Sequence, residues 1–180
     1  MQGYGRGLWF DETGLTWTSP SPNLRRLSGT VLYPGIGMLE FANLSVGRGT
    51  PAPFEMLGAP WIDGPGLART LAAKRLPGVK VTAAEFTPSG SKFAGERCFG
   101  VRLAVEDRAR LDAMRLGVEI AVALRLRHGD VFEHKALAQL LGSRAALAQI
   151  AAGAAAGDIV AAWEPRLSSF KDVRQKYLLY

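Results

Sequence analysis

The chain has 180 residues, 48% hydrophobic and 21% charged, which is long and apolar enough to form one domain burying roughly two thirds of the surface its unfolded form exposes. Twenty-two Lys and Arg against 16 Asp and Glu leave a net charge of +6, which favours encounter with polyanions, acidic sugars or anionic surfaces without bearing on the fold. A lone cysteine, Cys98, excludes an intramolecular disulfide, and neither an apolar run of about 18 residues nor the charged-then-apolar order of a signal peptide is present.

Residues 1–30 carry Gly, Ser, Pro and Thr around the aromatic anchors Trp9, Phe10 and Trp17. The run Ser19-Pro-Ser-Pro-Asn23 restricts the backbone to extended forms, so this segment reads as a non-helical strap packed across a surface. Its glycine-rich beginning, Met1-Gln-Gly-Tyr-Gly-Arg-Gly7, has neither a cap nor a periodic element, as expected of a sequence entering from elsewhere. Residues 35–44 place Ile36, Met38, Leu39, Ala42 and Leu44 at loosely helical spacing, with Pro34 suited to a first turn. A strand is expected over 54–61, ended by Pro60, and a helix over 66–76, stopped by Pro77-Gly78. Alternation predicts strands over 79–86 and 97–105. After Asp107 the period changes, and helices are expected over 111–126, 136–141, 144–152 and 158–170. The sum is an α+β fold: a small mixed sheet with helices packed on it and a helix-rich C-terminal half.

Common catalytic signatures fail. No Gly-x-x-x-x-Gly-Lys-Ser/Thr occurs, and Gly3, Gly5 and Gly7 lack both the spacing and the preceding strand of a dinucleotide site. His128 and His134 flank a turn far from Cys98, which points to exposed loop histidines and no metal. Ser-x-x-Lys occurs twice, at Ser89 and Ser168, with none of its usual companion motifs. The arginines at 97, 102, 108, 110, 115, 125 and 127 are interleaved with Glu106, Asp107, Asp112 and Glu119, the pattern of a solvated face more than of a nucleic-acid stripe. Few aromatic anchors in the Ala-rich tail argue against a membrane-surface helix.

One stretch does concentrate chemistry: Asn43-Leu-Ser-Val-Gly-Arg-Gly-Thr-Pro-Ala-Pro-Phe-Glu55. Gly47 and Gly49 permit tight or left-handed backbone, Arg48 could pair with Glu40 or Glu55, and Pro51 and Pro53 could protect a strand edge. Alternatively, the five donors of Arg48 and the N–H groups of Gly47 and Gly49 could converge on an anionic or hydroxyl-rich ligand. The two readings are compatible.

Trp9-Phe-Asp-Glu-Thr-Gly-Leu15, Ser21-Pro-Asn23, Tyr33-Pro-Gly35, Glu40, Asn43-Leu-Ser45, Gly47-Arg-Gly-Thr50, Pro53-Phe-Glu55, Gly58-Ala-Pro-Trp61, Phe86-Thr-Pro88, Ser91-Lys-Phe-Ala-Gly95 and Tyr177-Leu-Leu-Tyr180 resemble, in that order, the exo-β-N-acetylmuramidase family, the NamZ or YbbC-like proteins. The resemblance implies a glycoside hydrolase of peptidoglycan turnover in the cell wall. Its reaction would release terminal N-acetylmuramic acid from the non-reducing end of muropeptides without a cofactor, outside the cytoplasmic membrane. It also implies a two-part enzyme whose Rossmann-like N-terminal domain bears the main catalytic glutamate. Residues 1–30 would then be the segment leading out of that domain, and 31–180 the α+β C-terminal domain, inactive on its own. On this resemblance Arg48 would face the lactyl carboxylate, with Lys92 as a second positive charge. Asn43, Ser45 and Thr50 would meet hydroxyl and acetamido groups, beside the backbone of Gly47 and Gly49, and Glu40 or Glu55 would be an accessory acid, base or orienter. Phe41, Val46 and Ala52 depart from the family pattern, which expects a small, an acidic and often a basic residue there. The alternative is a non-catalytic carbohydrate-binding or interaction module, separable from an enzyme by muropeptide binding without sugar release.

Overall fold

A computed structural model describes residues 3–179. Residues 1, 2 and 180, and with them the start of the glycine-rich beginning and the last residue of the Tyr177–Tyr180 motif, lie outside it. The described segment before residue 27 is irregular, with turns at residues 6–7 and 22–23 and a short 3-10 turn, Phe10–Thr13. Arg108 and Arg26 fasten it: the Arg108 guanidinium binds Asp11 at 2.6 and 2.7 Å and Glu12 at 3.1 Å and lies 4.8 Å from the Trp9 ring centre, while Arg26 donates to the Pro51 carbonyl at 3.1 Å. Phe10 and Trp17 meet edge to face, 5.0 Å apart, within the segment itself.

Helix α1 spans Leu27–Ile36 and runs on into a 3-10 turn, Gly37–Leu39. It begins eight residues before the expected position, which places Pro34 inside the helix and not at its start. The buried stripe explains the miss: it consists of Gly29, Leu32, Gly35 and Ile36, so half of it is glycine and gives no apolar signal. Strand β1, Met56–Ala59, is shorter than predicted, and α2, Gly64–Ala72, starts two residues early behind an N-cap in which Asp63 accepts from the Gly66 N–H at 2.9 Å. Strands β2, Val79–Phe86, and β3, Cys98–Val105, fall where alternation places them.

The strands form one sheet in the order β1-β3-β2, and both pairings are antiparallel, so the expected mixed sheet is a purely antiparallel one. Hairpin geometry accounts for this: eleven residues join β2 to β3, a loop that simply reverses the chain. Helix α3, Ala113–His128, is the spine of the domain, buried continuously from Leu116 to Leu124 and packed against α1, α2, α5 (Arg144–Ala151) and α6 (Ala156–Ala161). Between α3 and α5 lies the short α4, Ala138–Leu141. The predicted helix over 158–170 is two helices, α6 and α7 (Glu164–Gln175), with Pro165 in the first turn of α7. The α+β class therefore stands. Among the described residues, no helix is long and apolar enough to cross a membrane.

Candidate functional site

The loop between the 3-10 turn and β1 is built from inside. Gly47 and Gly49 both take φ of +78°, the left-handed region that glycine adopts without strain. The Thr50 hydroxyl donates to the Gly47 carbonyl at 2.6 Å and accepts from the Ala52 N–H at 3.1 Å, while the Ser45 hydroxyl accepts from the Gly47 N–H at 3.2 Å. Ser45 and Thr50 are only 2% and 7% exposed, so their hydroxyls shape the loop. The same bond commits the Gly47 N–H. Asn43 is a strut: its amide donates to the Val131 carbonyl at 2.8 Å and accepts from the Glu133 N–H at 3.0 Å, while its own carbonyl accepts from the Trp61 indole at 3.1 Å.

The β2–β3 loop clamps this arrangement from outside. Ser89 donates twice to the Gly49 carbonyl, through its N–H at 2.9 Å and its hydroxyl at 2.8 Å. The Lys92 ammonium donates to the carbonyls of Glu40, at 2.6 Å, and Ala42. These carbonyls follow the α1 helical run, where a cation meets the negative end of the helix dipole. Burial pushes the Lys92 pKa below its ordinary 10.5, opposed by the charges of Glu40 and Glu133. Lys92 is thus engaged with the backbone, and Ser91 and Phe93 on either side of it take left-handed φ of 68° and 59°.

The two carboxylates near Arg48 separate cleanly. Glu55 is buried and accepts from the Ser28 hydroxyl at 2.8 Å, with Arg26 at 3.8 Å, so it ties the loop to α1. Glu40 is the partner of Arg48, its Oε1 lying 2.6 Å from Arg48 Nε, in an ion pair whose N–H is not aligned as a hydrogen bond. The guanidinium carbon also stands 5.4 Å from the ring centre of Phe54. Phe54 is fully buried with φ of +65°, a strained conformation for an aromatic residue. Its sequence gives it no role beyond starting a strand and standing in the Pro53-Phe-Glu55 motif, five positions after Gly49. The Arg48 side chain stays 28% exposed, and neither Nη group bonds to another described residue.

A family model described as the C-terminal part of the exo-β-N-acetylmuramidase NamZ matches residues 31–180. The chain belongs to that family. It is 37% identical over 183 residues to a peptidoglycan β-N-acetylmuramidase, NamZ of Bacillus subtilis strain 168, covering all of this chain and 44% of the relative. Two solved DUF1343 family proteins of Bacteroides fragilis share the fold. One aligns with a TM-score of 0.89 at 24% identity, over 99% of this chain and 49% of its own; the other gives 0.68 at 28%, over 90% and 43%. The chain spans less than half the length of each of these relatives.

Other chemistry-bearing residues of this NamZ-family domain serve packing. His128 is no exposed loop residue: it ends α3, its ring 5.1 Å from that of Trp61, and burial together with Arg127 lowers its pKa against the opposing charge of Asp63. Cys98 is buried, and its thiol is pushed up to about 11, first by burial and then by Glu96. No cluster of His, Cys, Asp and Glu fit for a metal occurs among the described residues. Five of the seven arginines noted along 97–127 sit against carboxylates: Arg97 on Glu85, Arg108 on Asp11 and Glu12, Arg115 on Glu119, Arg125 on Asp130 and Arg127 on Asp63.

Proposed function

We propose that this chain is the substrate-facing C-terminal domain of a peptidoglycan-degrading exo-β-N-acetylmuramidase, an enzyme that frees terminal N-acetylmuramic acid from the non-reducing end of cell-wall fragments. The observation that carries the reading is the state of Arg48. Its Nε pairs with Glu40 at 2.6 Å and it lies near the buried Phe54 ring, while neither Nη group hydrogen-bonds to another described residue and the side chain is 28% exposed. A guanidinium held in this way is pre-organised to take a carboxylate bidentately, and the lactyl group that distinguishes muramic acid from glucosamine is a carboxylate.

Hydrolysis of a glycoside uses two carboxyl groups flanking the bond. Glu55 is buried and bonded, and Glu40 is held by Arg48, so on this reading the bond-breaking carboxyl lies on a second domain, outside these 180 residues. The length of the relatives fits such a partner. Peptidoglycan lies outside the cytoplasmic membrane, and the complete protein would act there. Ser45, Thr50, Asn43 and Lys92 hold the loop that presents Arg48, with the exposed Gly49 at its rim.

The test is Arg48→Ala in a protein carrying both domains, assayed on muramyl substrates and on neutral analogues lacking the lactyl group. Loss of a charge-assisted contact worth about 1.5–3 kcal/mol should lower kcat/KM for muramyl substrates by about ten- to a hundredfold and leave the neutral ones nearly unchanged. Equal loss for both would overturn the assignment.

A further inference from the structure

Tyr33 has no part in the roles given so far. It lies in the last turns of α1, whose buried stripe is Gly29, Leu32, Gly35 and Ile36, and it is 41% exposed. A tyrosine serving the core would bury its ring and find a partner for its hydroxyl. The Tyr33 hydroxyl bonds to no other described residue.

The ring is nevertheless held in place from two directions. It meets Phe54 edge to face, with centres 4.8 Å apart and planes at 79°. One turn along the helix, a Cβ at Gly37 would stand 3.0 Å from the ring, so the ring rests over a position that has no side chain. Phe54 is also the ring beside Arg48. A single buried, strained aromatic therefore supports an exposed tyrosine and an open guanidinium. The two are separated by no more than the sum of their distances to Phe54, a span of one to two sugar rings.

A pyranose has polar edges and at least one face of C–H bonds, and those positively polarised hydrogens suit the negative face of an aromatic ring. We infer that Tyr33 is the aromatic floor of the sugar site, receiving the C–H face of the pyranose while Arg48 receives its carboxylate. A ring already fixed by Phe54 and Gly37 loses little rotamer freedom on binding. The assignment rests on the proposed function and extends it, because it divides recognition in two. Tyr33 holds any N-acetylated pyranose, and Arg48 selects the acidic one.

The experiment titrates a protein carrying both domains with N-acetylmuramic acid and with N-acetylglucosamine, following the sugar proton resonances, for wild type, Tyr33→Leu, Tyr33→Phe and Arg48→Ala. In the wild type, C–H protons on one face of the bound sugar should move upfield from the ring current of Tyr33. Tyr33→Phe should keep that shift and bind within about twofold of wild type, while Tyr33→Leu should abolish it and weaken both sugars by about fivefold, leaving their ratio unchanged. Arg48→Ala should reduce the ratio alone. Wild type binding the acidic sugar with an Arg48-dependent preference, but with no upfield shift or with Tyr33→Leu unimpaired, would overturn the role of Tyr33 and leave the proposed function standing. Binding of neither sugar, or a preference indifferent to Arg48, would overturn both. The upfield shift is read on the wild-type protein, so the inference stays testable even if Tyr33→Leu fails to fold.

Discussion

Gly35→Ala sets two physical arguments against each other. Within a helix, replacing glycine by alanine ordinarily stabilises by about 1 kcal/mol, because the backbone loses less freedom on folding. Gly35 has helical geometry, so propensity alone predicts a more stable protein. The crossing of α1 over α3 predicts the reverse. A Cβ at Gly35 would stand 1.7 Å from the carbonyl oxygen of Ala113 and 2.7 Å from its carbonyl carbon, while a Cβ at Gly117 would stand 2.4 Å from the carbonyl oxygen of Gly35. These neighbours are backbone atoms of the opposing helix, which no rotamer change can relieve. The helices would have to part, opening the well-packed layer around Leu32, Ile36, Leu116 and Ile120. Overpacking of this kind costs about 1–3 kcal/mol, and the backbone location favours the upper end; set against the gain of about 1 kcal/mol from propensity, a net loss of about 2 kcal/mol is expected. For a domain of this length that lowers Tm by about 4–8 °C in a calorimetric scan, with a matching fall in the urea midpoint at unchanged slope. An unchanged or raised Tm would refute the close crossing of α1 and α3, and with it the placing of Tyr33 and Glu40 on that helical run.

Lys92→Met removes the donor to the Glu40 and Ala42 carbonyls while keeping much of the side-chain volume; a loss of about 1–3 kcal/mol in urea unfolding is expected, and no loss would show that the β2–β3 loop does not clamp the site. Asp63 is held below its ordinary 3.8, first by the Gly66 N–H and also by Arg127, against an opposing effect of burial. Its stabilising effect is therefore full above that value and is lost as pH falls through the lower folded value, so Asp63→Asn should flatten the decline of Tm below about pH 4, and an identical pH profile would dismiss the cap.

Much of this fold was legible because alternation is a strong signal when one side of a strand is buried. Val79–Phe86 has its predicted bounds, and Cys98–Val105 lies within one residue of them. Helix α1 was misread for a physical reason: Gly29 and Gly35 occupy buried stripe positions because another backbone comes close, and proximity of backbones leaves no hydrophobic pattern. The break between α6 and α7 was hidden by the uniform alanine content around it, although Pro165 marks the new first turn. In the loop, sequence chemistry named Arg48 and offered two carboxylates for it. Choosing Glu40 over Glu55 needed the third dimension, because Ser28 and Arg26, distant in sequence, occupy Glu55. The hydroxyls of Ser45 and Thr50 look alike in sequence whether they face a ligand or their own backbone. Only the left-handed turn at Gly47 decides that they bond to the loop itself. The seating of Tyr33 was equally hidden, since it depends on a missing side chain at Gly37 and a ring brought in by Phe54.

The reach of Asn43 bears on how this domain comes into being. Its amide joins residues separated by 88 and 90 positions in the chain, so the Arg48 loop gains its strut only after α3 has docked and carried Val131 and Glu133 to it. Closing so large a ring of chain is slow and entropically costly compared with forming a hairpin or a helix. The Arg48 loop is thus among the last parts of the molecule to take shape as the chain folds. A peptide cut from residues 43–55 and transplanted onto another scaffold would carry the glycines and the arginine but not the geometry that aims them.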